Sequence, residues 1–157
     1  MNDYNLNPKN YDPRMHTAEH ILIQTMVRMF NCGRAFSSHI EKKKSKCDFH
    51  FGRTLTAKEM LEIERRVNEV IQNDLPVRES FMRRDEAKER FNLSRLPEEA
   101  GETVRIISIG DYDACPCSGV HAASSKAIGS FKISSSDCAD GVLRVRFIIA
   151  KVSPAET

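Results

Sequence analysis

The segment Met15-His16-Thr17-Ala18-Glu19-His20-Ile21-Leu22 decides the fold, because it opens the first long helix that the sequence predicts. Apolar residues continue at helical spacing through Ile21, Leu22, Met26, Val27 and Phe30. His16 and His20 are four residues apart, so a helix places both imidazoles on one face, where they can bind a single cation. A His pair alone is more often a surface feature or part of a hydrogen-bond network, so the interpretation depends on further ligands.

The segment Cys117-Ser118-Gly119-Val120-His121 supplies a second pair, a thiol and an imidazole that are also four residues apart. Gly119 between them allows the backbone to turn tightly. The C-x-x-x-H pattern is weak by itself, but two imidazoles joined by a thiol and a third imidazole form the mixed nitrogen and sulfur set that zinc prefers. We therefore expect one shared Zn²⁺ site. Cys115 leaves the choice of thiol open at this point, because a C-x-C pair can also bind metal.

The bulk properties predict one domain spanning residues 1–157, with residues 1–12 as an extended lead-in. Lys and Arg number 24 against 22 Asp and Glu, so an anionic partner must meet local basic clusters rather than a global field. No apolar run is long enough for a membrane span, and the first residues lack the pattern of a signal peptide. Five cysteines without framework spacing argue against a secreted disulfide scaffold, so we expect a cytoplasmic protein.

Two helices have clear boundary signals. Asp12-Pro13 predicts an N-cap and first turn for a helix that ends near Asn31-Cys32-Gly33. Thr56 and Glu59 form a capping-box pattern at the start of a helix over Ala57–Asn73. Its predicted buried stripe comprises Met60, Leu61, Ile63, Val67, Val70 and Ile71. Asp85 is predicted to cap a short helix that runs to Phe91.

Strand patterns alternate with these helices. The predicted strands are Ala35–Ile40, Lys46–Phe51, Val77–Met82, Thr103–Ile109, Gly129–Ser134 and Val142–Ala150, the last two joined by a turn through Asp140-Gly141. Because helices and antiparallel hairpins alternate without a βαβ rhythm, we predict an α+β fold. The expected architecture is a two-layer sandwich, with a mainly antiparallel sheet and helices packed on one face.

The same two ligand segments resemble a known family. His16-Thr17-Ala18-Glu19-His20-Ile21-Leu22 is similar to the H-T/S-A-x-H-x-L motif of the alanyl-tRNA synthetase editing domain and of its freestanding trans-editing relatives, and the threonyl-tRNA synthetase editing domain shares this motif more distantly. Cys117-Ser118-Gly119-Val120-His121 resembles the C-x-G-x-H element of that superfamily. Intervening segments, including Leu75-Pro76-Val77, match in the right order, so the resemblance runs from about residue 14 to 149.

The resemblance implies hydrolysis of mischarged aminoacyl-tRNA, seryl- or glycyl-tRNA of the alanine type, by a reaction that needs no ATP. It carries the zinc ligands over to His16, His20, Cys117 and His121, and so favours Cys117 over Cys115. Our hypothesis has three firm ligands, with His121 completing the shell or exchanging with water. Ser118 and Val120 depart from the Gly and Thr that the family often has in this loop. The absence of the family's Gly-rich barrel region implies a short form that acts in trans.

Further candidates lie around the expected metal. Thr17 and Gln24 fall near the ligand face of the first helix, and the resemblance places Ser37 and Ser38 in the amino acid pocket, where a hydroxyl could bind the seryl side chain. The alternative is that both serines are ordinary polar strand residues. Glu19 could orient a ligand, but we expect it to face solvent. His39 and His50 are expected to be strand or surface residues.

A basic cluster is the candidate RNA-binding surface, and its members are Lys42, Lys43, Lys44, Lys46 and Arg53. A solvated charge run is the alternative. Three functions therefore compete: a deacylase of the alanine type, a deacylase for seryl-tRNA of the threonine type or another charged tRNA, and a non-catalytic RNA-binding module stabilised by zinc. The sequence leaves open whether zinc activates water or positions the substrate, and it does not give the oligomeric state.

Overall fold

The computed structural model describes residues 12–91 and 102–150. Its helices are α1 (Pro13–Phe30), α2 (Ala57–Gln72) and α3 (Arg84–Arg90), with a 3₁₀ turn at Ser125–Ile128. Its strands are β1 (Ser37–His39), β2 (Ser45–His50), β3 (Val77–Arg83), β4 (Thr103–Ile109), β5 (Asp113–Pro116), β6 (Ser130–Ala139) and β7 (Val142–Ala150). Of the predicted lead-in over residues 1–12, residues 1–11 lie outside the described residues.

The strands form two antiparallel sheets. Four strands follow the order β1-β2-β7-β6, and three follow the order β3-β4-β5. One hydrophobic core joins α1 and α2 to the inner face of the four-stranded sheet, through residues such as Met26, Ile63 and Phe147. The predicted α+β class with antiparallel strands is confirmed, although the strands divide between two sheets instead of forming one.

Helix α1 lies at the centre of the molecule. The Asp12 side chain accepts hydrogen bonds from the backbone N–H groups of Arg14 and Met15, and Asn31 ends the helix in the left-handed region, as the boundary signals predict. Between Met15 and Met26 nearly every residue is buried, the polar ones included. Burying polar residues costs free energy unless they find partners, so this helix needs partners on its polar side.

Helix α2 has the predicted start. The Thr56 hydroxyl accepts from the Glu59 N–H, and the Glu59 carboxylate accepts from the Thr56 N–H. Ile63 and Val67 are fully buried, but the prediction for Leu61 is wrong, because its side chain is 67% exposed. The stripe of buried residues is therefore narrower than its apolar pattern indicates.

The remaining differences concern short elements. The sequence analysis missed β5, and it ended β6 too early because a register shift between Ile133 and Ser135 interrupts the alternation. Asp85 does not cap α3: Arg83 takes that position without a side-chain hydrogen bond. The Asp140-Gly141 turn is confirmed, with both φ angles positive at 53° and 78°. Within residues 12–91 and 102–150, none of the helices has the length and apolarity needed to cross a membrane.

Candidate metal centre

The two predicted ligand pairs come together in the structure. One potential ligand atom from each of His16, His20, Cys117 and His121 lies within 4.8 Å of every other one. Helix α1 supplies the first two side chains, and the loop after β5 supplies the others. The Cys117 Sγ lies 3.4 Å from the Nε2 atoms of both His16 and His121. These four side chains could together bind a metal ion.

Hydrogen bonds orient two of the imidazoles. His16 Nδ1 lies 3.0 Å from the Val120 carbonyl oxygen, which can only accept, so Nδ1 carries the proton and Nε2 is left for an ion. The Thr17 hydroxyl donates to the Pro13 carbonyl and accepts from the Ala122 N–H. Its remaining lone pair accepts from His121 Nδ1 at 3.0 Å, which likewise directs Nε2 of His121 at Cys117.

The third imidazole, His20, meets a different set of groups. Its Nδ1 lies 3.3 Å from Cys115 Sγ and 3.6 Å from an oxygen of Asp113. His20, Asp113 and Cys115 are all buried, and they form a second group that could hold an ion. Cys115, the alternative to Cys117 as the thiol ligand, thus contacts His20 on the side that faces Asp113.

Burial and charge act together on these groups. Burial opposes ionisation of the Cys117 thiol, but the charge of His20 and the neighbouring His121 and His16 rings outweigh it and lower the pKa of the thiol to about 2. Burial also lowers the pKa of His121, to about 4. For His20, burial disfavours the cation, but the negative charges of Cys115 and Cys117 raise its pKa well above the usual value. The site therefore combines a thiolate with nitrogen donors.

An arginine holds the loop that carries Cys117. Arg105 on β4 donates from one terminal nitrogen to the Cys117 and Gly119 carbonyl oxygens, at 3.0 and 2.8 Å. Its Nε donates to Glu79 on β3 at 2.6 Å. Gly119 does not use the left-handed region: the described glycines with positive φ are Gly110, Gly129 and Gly141. The loop shape comes from these carbonyl contacts.

The structure places the other predicted site residues in three different environments. Thr17 is fully buried, with its hydroxyl 3.0 Å from His121 Nδ1, and it does not line open space. Gln24 donates to Asp113 at 2.8 Å, beside the cluster. Ser37 and Ser38 lie on β1 of the four-stranded sheet, where the Ser38 hydroxyl is 3.6 Å from Cys47 Sγ, whereas the cluster lies between α1 and the loop after β5.

The expectation that Glu19 faces solvent is wrong. Only 5% of this residue is exposed, and its Oε1 lies 3.6 Å from His16 Nε2 and 3.9 Å from His20 Nε2. His39 and His50 lie exposed on β1 and β2, as expected.

Sequence reasoning missed two further residues at this site, Asp113 and Arg34. The Asp113 side chain is fully buried and accepts hydrogen bonds from Gln24 and from Arg34, the latter at 2.7 Å. Burial favours the neutral carboxyl, but the hydrogen bond from His20 and the charge of Arg34 hold its pKa far below the usual range. The available signal was the position of Asp113, two residues before the C-x-C pair.

The fold and site together define a class of protein: an antiparallel α+β protein with three imidazoles and a thiol gathered into a partly buried cluster that could bind a metal ion. Residues 104–146 match the family described as the threonyl and alanyl tRNA synthetase second additional domain. This stretch includes Cys117 and His121.

Curated relatives cover most of the chain. It is 35% identical over 155 residues to an alanine–tRNA ligase of Lysinibacillus sphaericus, with 96% of this chain and 16% of the ligase covered. It is 34% identical over 143 residues to the alanine–tRNA ligase of Coxiella burnetii, covering 89% and 16%. The ligase of Methanopyrus kandleri is 33% identical over 139 residues, covering 85% and 15%. The chain is therefore an alanyl-tRNA synthetase editing-domain-like protein, and it spans about a sixth of the length of these relatives.

Proposed function

We propose that this protein hydrolyses the ester bond of mischarged aminoacyl-tRNA in trans, acting on seryl- or glycyl-tRNA of the alanine type, at a zinc ion held by His16, His20, Cys117 and His121. The observation that carries the proposal is the convergence of four potential ligand atoms, all within 4.8 Å of one another, in a chain similar to alanine–tRNA ligases.

The donor set fits zinc. Zinc takes nitrogen ligands at about 2.0–2.1 Å and thiolates at about 2.3 Å, so tetrahedral ligand atoms lie about 3.3–3.6 Å apart. The two distances of 3.4 Å from Cys117 Sγ to imidazole Nε2 atoms fall within this interval. A thiolate with three imidazoles is also the mixed set that zinc prefers over oxygen-seeking cations.

In the proposed reaction, the zinc ion acts on the ester or on water, and the residues of the chain hold the ligands in position. A bound zinc ion supplies Lewis acidity, either lowering the pKa of water or polarising the ester carbonyl. The Val120 carbonyl and the Thr17 hydroxyl fix the direction of the His16 and His121 rings. Arg105 holds the loop of Cys117 and His121 in place, so the chain sets the site geometry before substrate binds.

Space for a substrate adjoins the cluster. A cavity of about 280 Å³ is lined by His121 together with Glu79, Arg105, Ile107 and neighbouring residues. Its surface is mainly polar, and it includes the paired Glu79 carboxylate and Arg105 guanidinium next to one proposed ligand. This position supports the proposal, because the ester and ammonium groups of an aminoacyl ester are polar.

The proposed tRNA contact lies on the outer face of the four-stranded sheet. In the strand register, Lys46 is paired with His39 on one side and with Arg146 on the other. Asp137 accepts a hydrogen bond from Arg146 at 2.6 Å and compensates that charge, so Lys46 is the cation of this pair that an anionic partner would meet. Lys42, Lys43 and Lys44 extend the basic surface into the exposed loop after β1. Phosphate groups of tRNA fit this surface.

Arg53 has a different environment from the lysines. Both of its terminal nitrogens donate to Glu59, each at 2.8 Å, and its guanidinium lies over the Phe51 ring. Glu59 therefore compensates its charge, and we assign the RNA contact to Lys42, Lys43, Lys44 and Lys46. Arg53 is left out, and so is Arg146, which donates to the Asp137 carboxylate at 2.6 Å.

The test is a panel of charged tRNAs, including seryl-, glycyl- and alanyl-tRNA of the alanine type and seryl-tRNA of the threonine type, assayed with and without a chelator. We expect hydrolysis of the mischarged alanine-type tRNAs, lost on zinc removal and restored by zinc. A His121→Ala variant with unchanged activity and metal content would remove that residue from the site. A folded, zinc-loaded protein that hydrolyses no member of the panel would instead support a non-catalytic RNA-binding module.

A further inference from the structure

We propose that the stacked rings of Phe36 and His50 form a platform on which an unpaired base of the RNA partner stacks, while the lysines of the β1–β2 hairpin bind its phosphates. The inference rests on the tRNA contact of the proposed function. It adds a site for a base to a surface that its charge alone has described so far.

The two rings already have the geometry of a stacking platform. Phe36 immediately precedes β1, and its N–H donates to the Asp48 carbonyl oxygen on β2 at 3.0 Å. His50 is the last residue of β2. The ring centroids are 4.0 Å apart and the ring planes differ by 15°, so the rings are nearly parallel. In such a pair each ring covers one face of the other, and its second face can stack on a further flat group.

The hydrophobic core does not account for the position of Phe36. This residue is 40% exposed and is not part of the core, and His50 is exposed as well. An aromatic ring that stays in water contributes little of the stability that its burial would bring. A nucleobase would cover the ring, and aromatic side chains on sheets bind unpaired bases of RNA in this way.

The charges around the platform favour an anionic partner. Lys46, Asp48 and His50 follow one another on the outer side of β2, in alternation with core residues. Arg144 neutralises Asp48 through hydrogen bonds at 2.8 and 3.0 Å, so this carboxylate does not repel phosphate. The hairpin loop and Lys46 together carry four lysines against one acidic residue, Glu41. This surface attracts the backbone of RNA.

The spacing suits a single strand of RNA. Four residues of extended strand separate Lys46 from His50, which corresponds to about 13 Å. The lysines at 42–44 lie beyond Lys46, in the loop that joins β1 to β2. A strand of RNA lying along β2 would therefore meet the lysines with its phosphates and the two rings with a base. An anionic partner without bases would use the lysines alone.

A fluorescence titration tests the platform directly. The chain contains no tryptophan, so Phe36→Trp places a single indole reporter at the proposed site. The probe is a single-stranded adenine octanucleotide, and its control is an abasic octamer with the same number of phosphates. We expect the octanucleotide to quench the indole emission by stacking, and the abasic octamer to leave the emission unchanged.

A second variant measures the contribution of the ring. Phe36→Ala should weaken binding of the octanucleotide about 10-fold or more, because stacking of one base on an aromatic ring contributes on this scale. The dependence of binding on salt should keep its slope, since the ring carries no charge. The matched control is Phe81→Ala, whose ring is 65% exposed on β3 of the other sheet and whose loss should not change the affinity.

Three results would overturn the platform. They are equal quenching by both octamers, no quenching by the octanucleotide, and wild-type affinity in Phe36→Ala. Indole emission that changes with protein concentration and not with RNA would also overturn it, and would assign the rings to a contact between two copies of the chain. These measurements involve no hydrolysis, so the deacylase proposal fails separately, through a zinc-loaded protein without activity on any charged tRNA.

Discussion

A single hydroxyl group orients one side of the proposed metal site. Thr17 contacts the His121 ring, the Ala122 N–H and the Pro13 carbonyl, and so joins the start of α1 to the loop after β5. We predict that Thr17→Val, which keeps the shape but removes the hydroxyl, lowers Zn²⁺ affinity about 10-fold. Competition with a chelator measures this.

Thr25→Val is the matched control for that substitution. Thr25 is buried on the same helix and bonds the Tyr112 hydroxyl at 2.6 Å. Its replacement should reduce stability by about 1 kcal/mol without changing Zn²⁺ affinity. Equal decreases in affinity in the two variants would mean that Thr17 acts through helix stability and not through His121.

For single residues, the sequence predicts the proposed ligands but not the side chains that surround them. The spacing of His16 with His20, and of Cys117 with His121, predicted which side chains converge. The sequence could not reveal that Glu19 turns inward, because its position on the helix circumference is compatible with either solvent or the site. Asp113 was missed for a related reason: its partners, Arg34 and Gln24, are distant in the chain.

Among the helices, α2 shows how an apolar pattern overstates burial. Leu61 and Ile63 are both apolar and two residues apart, yet the first is 67% exposed and the second fully buried. We predict that Ile63→Ala costs about 2–5 kcal/mol of unfolding free energy. Leu61→Ala should change it by less than about 0.5 kcal/mol. Urea unfolding measures both, and a large decrease for Leu61→Ala would show that its side chain packs against the fold.

In the four-stranded sheet, the pair of Asp48 and Arg144 makes stability depend on pH. The two residues face each other across β2 and β7, and hydrogen bonds from Arg144 lower the pKa of Asp48 below 3.8 despite partial burial. A lowered pKa stabilises the fold above pH 3.8, and this contribution disappears as pH falls through the folded-state pKa.

Asp48→Asn therefore should lower the free energy of unfolding by about 0.5 kcal/mol at pH 7, a small value because the pair is partly exposed. At the acid end of the pH series the substitution should leave the free energy of unfolding unchanged. The measurement is urea unfolding of both proteins over a pH series, with exposed Asp111→Asn as the control. A difference that persists below the folded-state pKa would show that poorer packing, and not charge, causes the destabilisation.

Element prediction succeeded where the signals were local. The N-cap of α1, the capping box of α2 and the Asp140-Gly141 turn follow from neighbouring residues and were predicted. The division into two sheets depends on which strands pair over long distances, and β5 is a strand of only four residues. The hydrophobic periodicity of the sequence carries little information about long-range strand pairing or about so short a strand.

At the scale of the molecule, charge is unevenly distributed. We predict that replacing Lys44 and Lys46 with Ala weakens tRNA binding and flattens its dependence on salt, by about 0.7–0.9 in the log–log slope for each phosphate that the variant no longer neutralises. Zn²⁺ content should not change. Replacing Lys58 and Lys126, which are exposed on α2 and on the 3₁₀ turn, is the control. An equal weakening in both variants would indicate a diffuse attraction without a defined surface.

The proposed ligands connect distant parts of the polypeptide: His16 and Cys117 are separated by 101 positions. An ion between them acts as a reversible cross-link, and in a chain-entropy treatment closing a loop of that length restricts the unfolded chain by about 4–5 kcal/mol. Chelation should thus speed amide hydrogen exchange along α1 far more than along α2, whose capping box does not involve the proposed ligands. Metal supply would then control how tightly the amino-terminal helix is fastened to the rest of the protein.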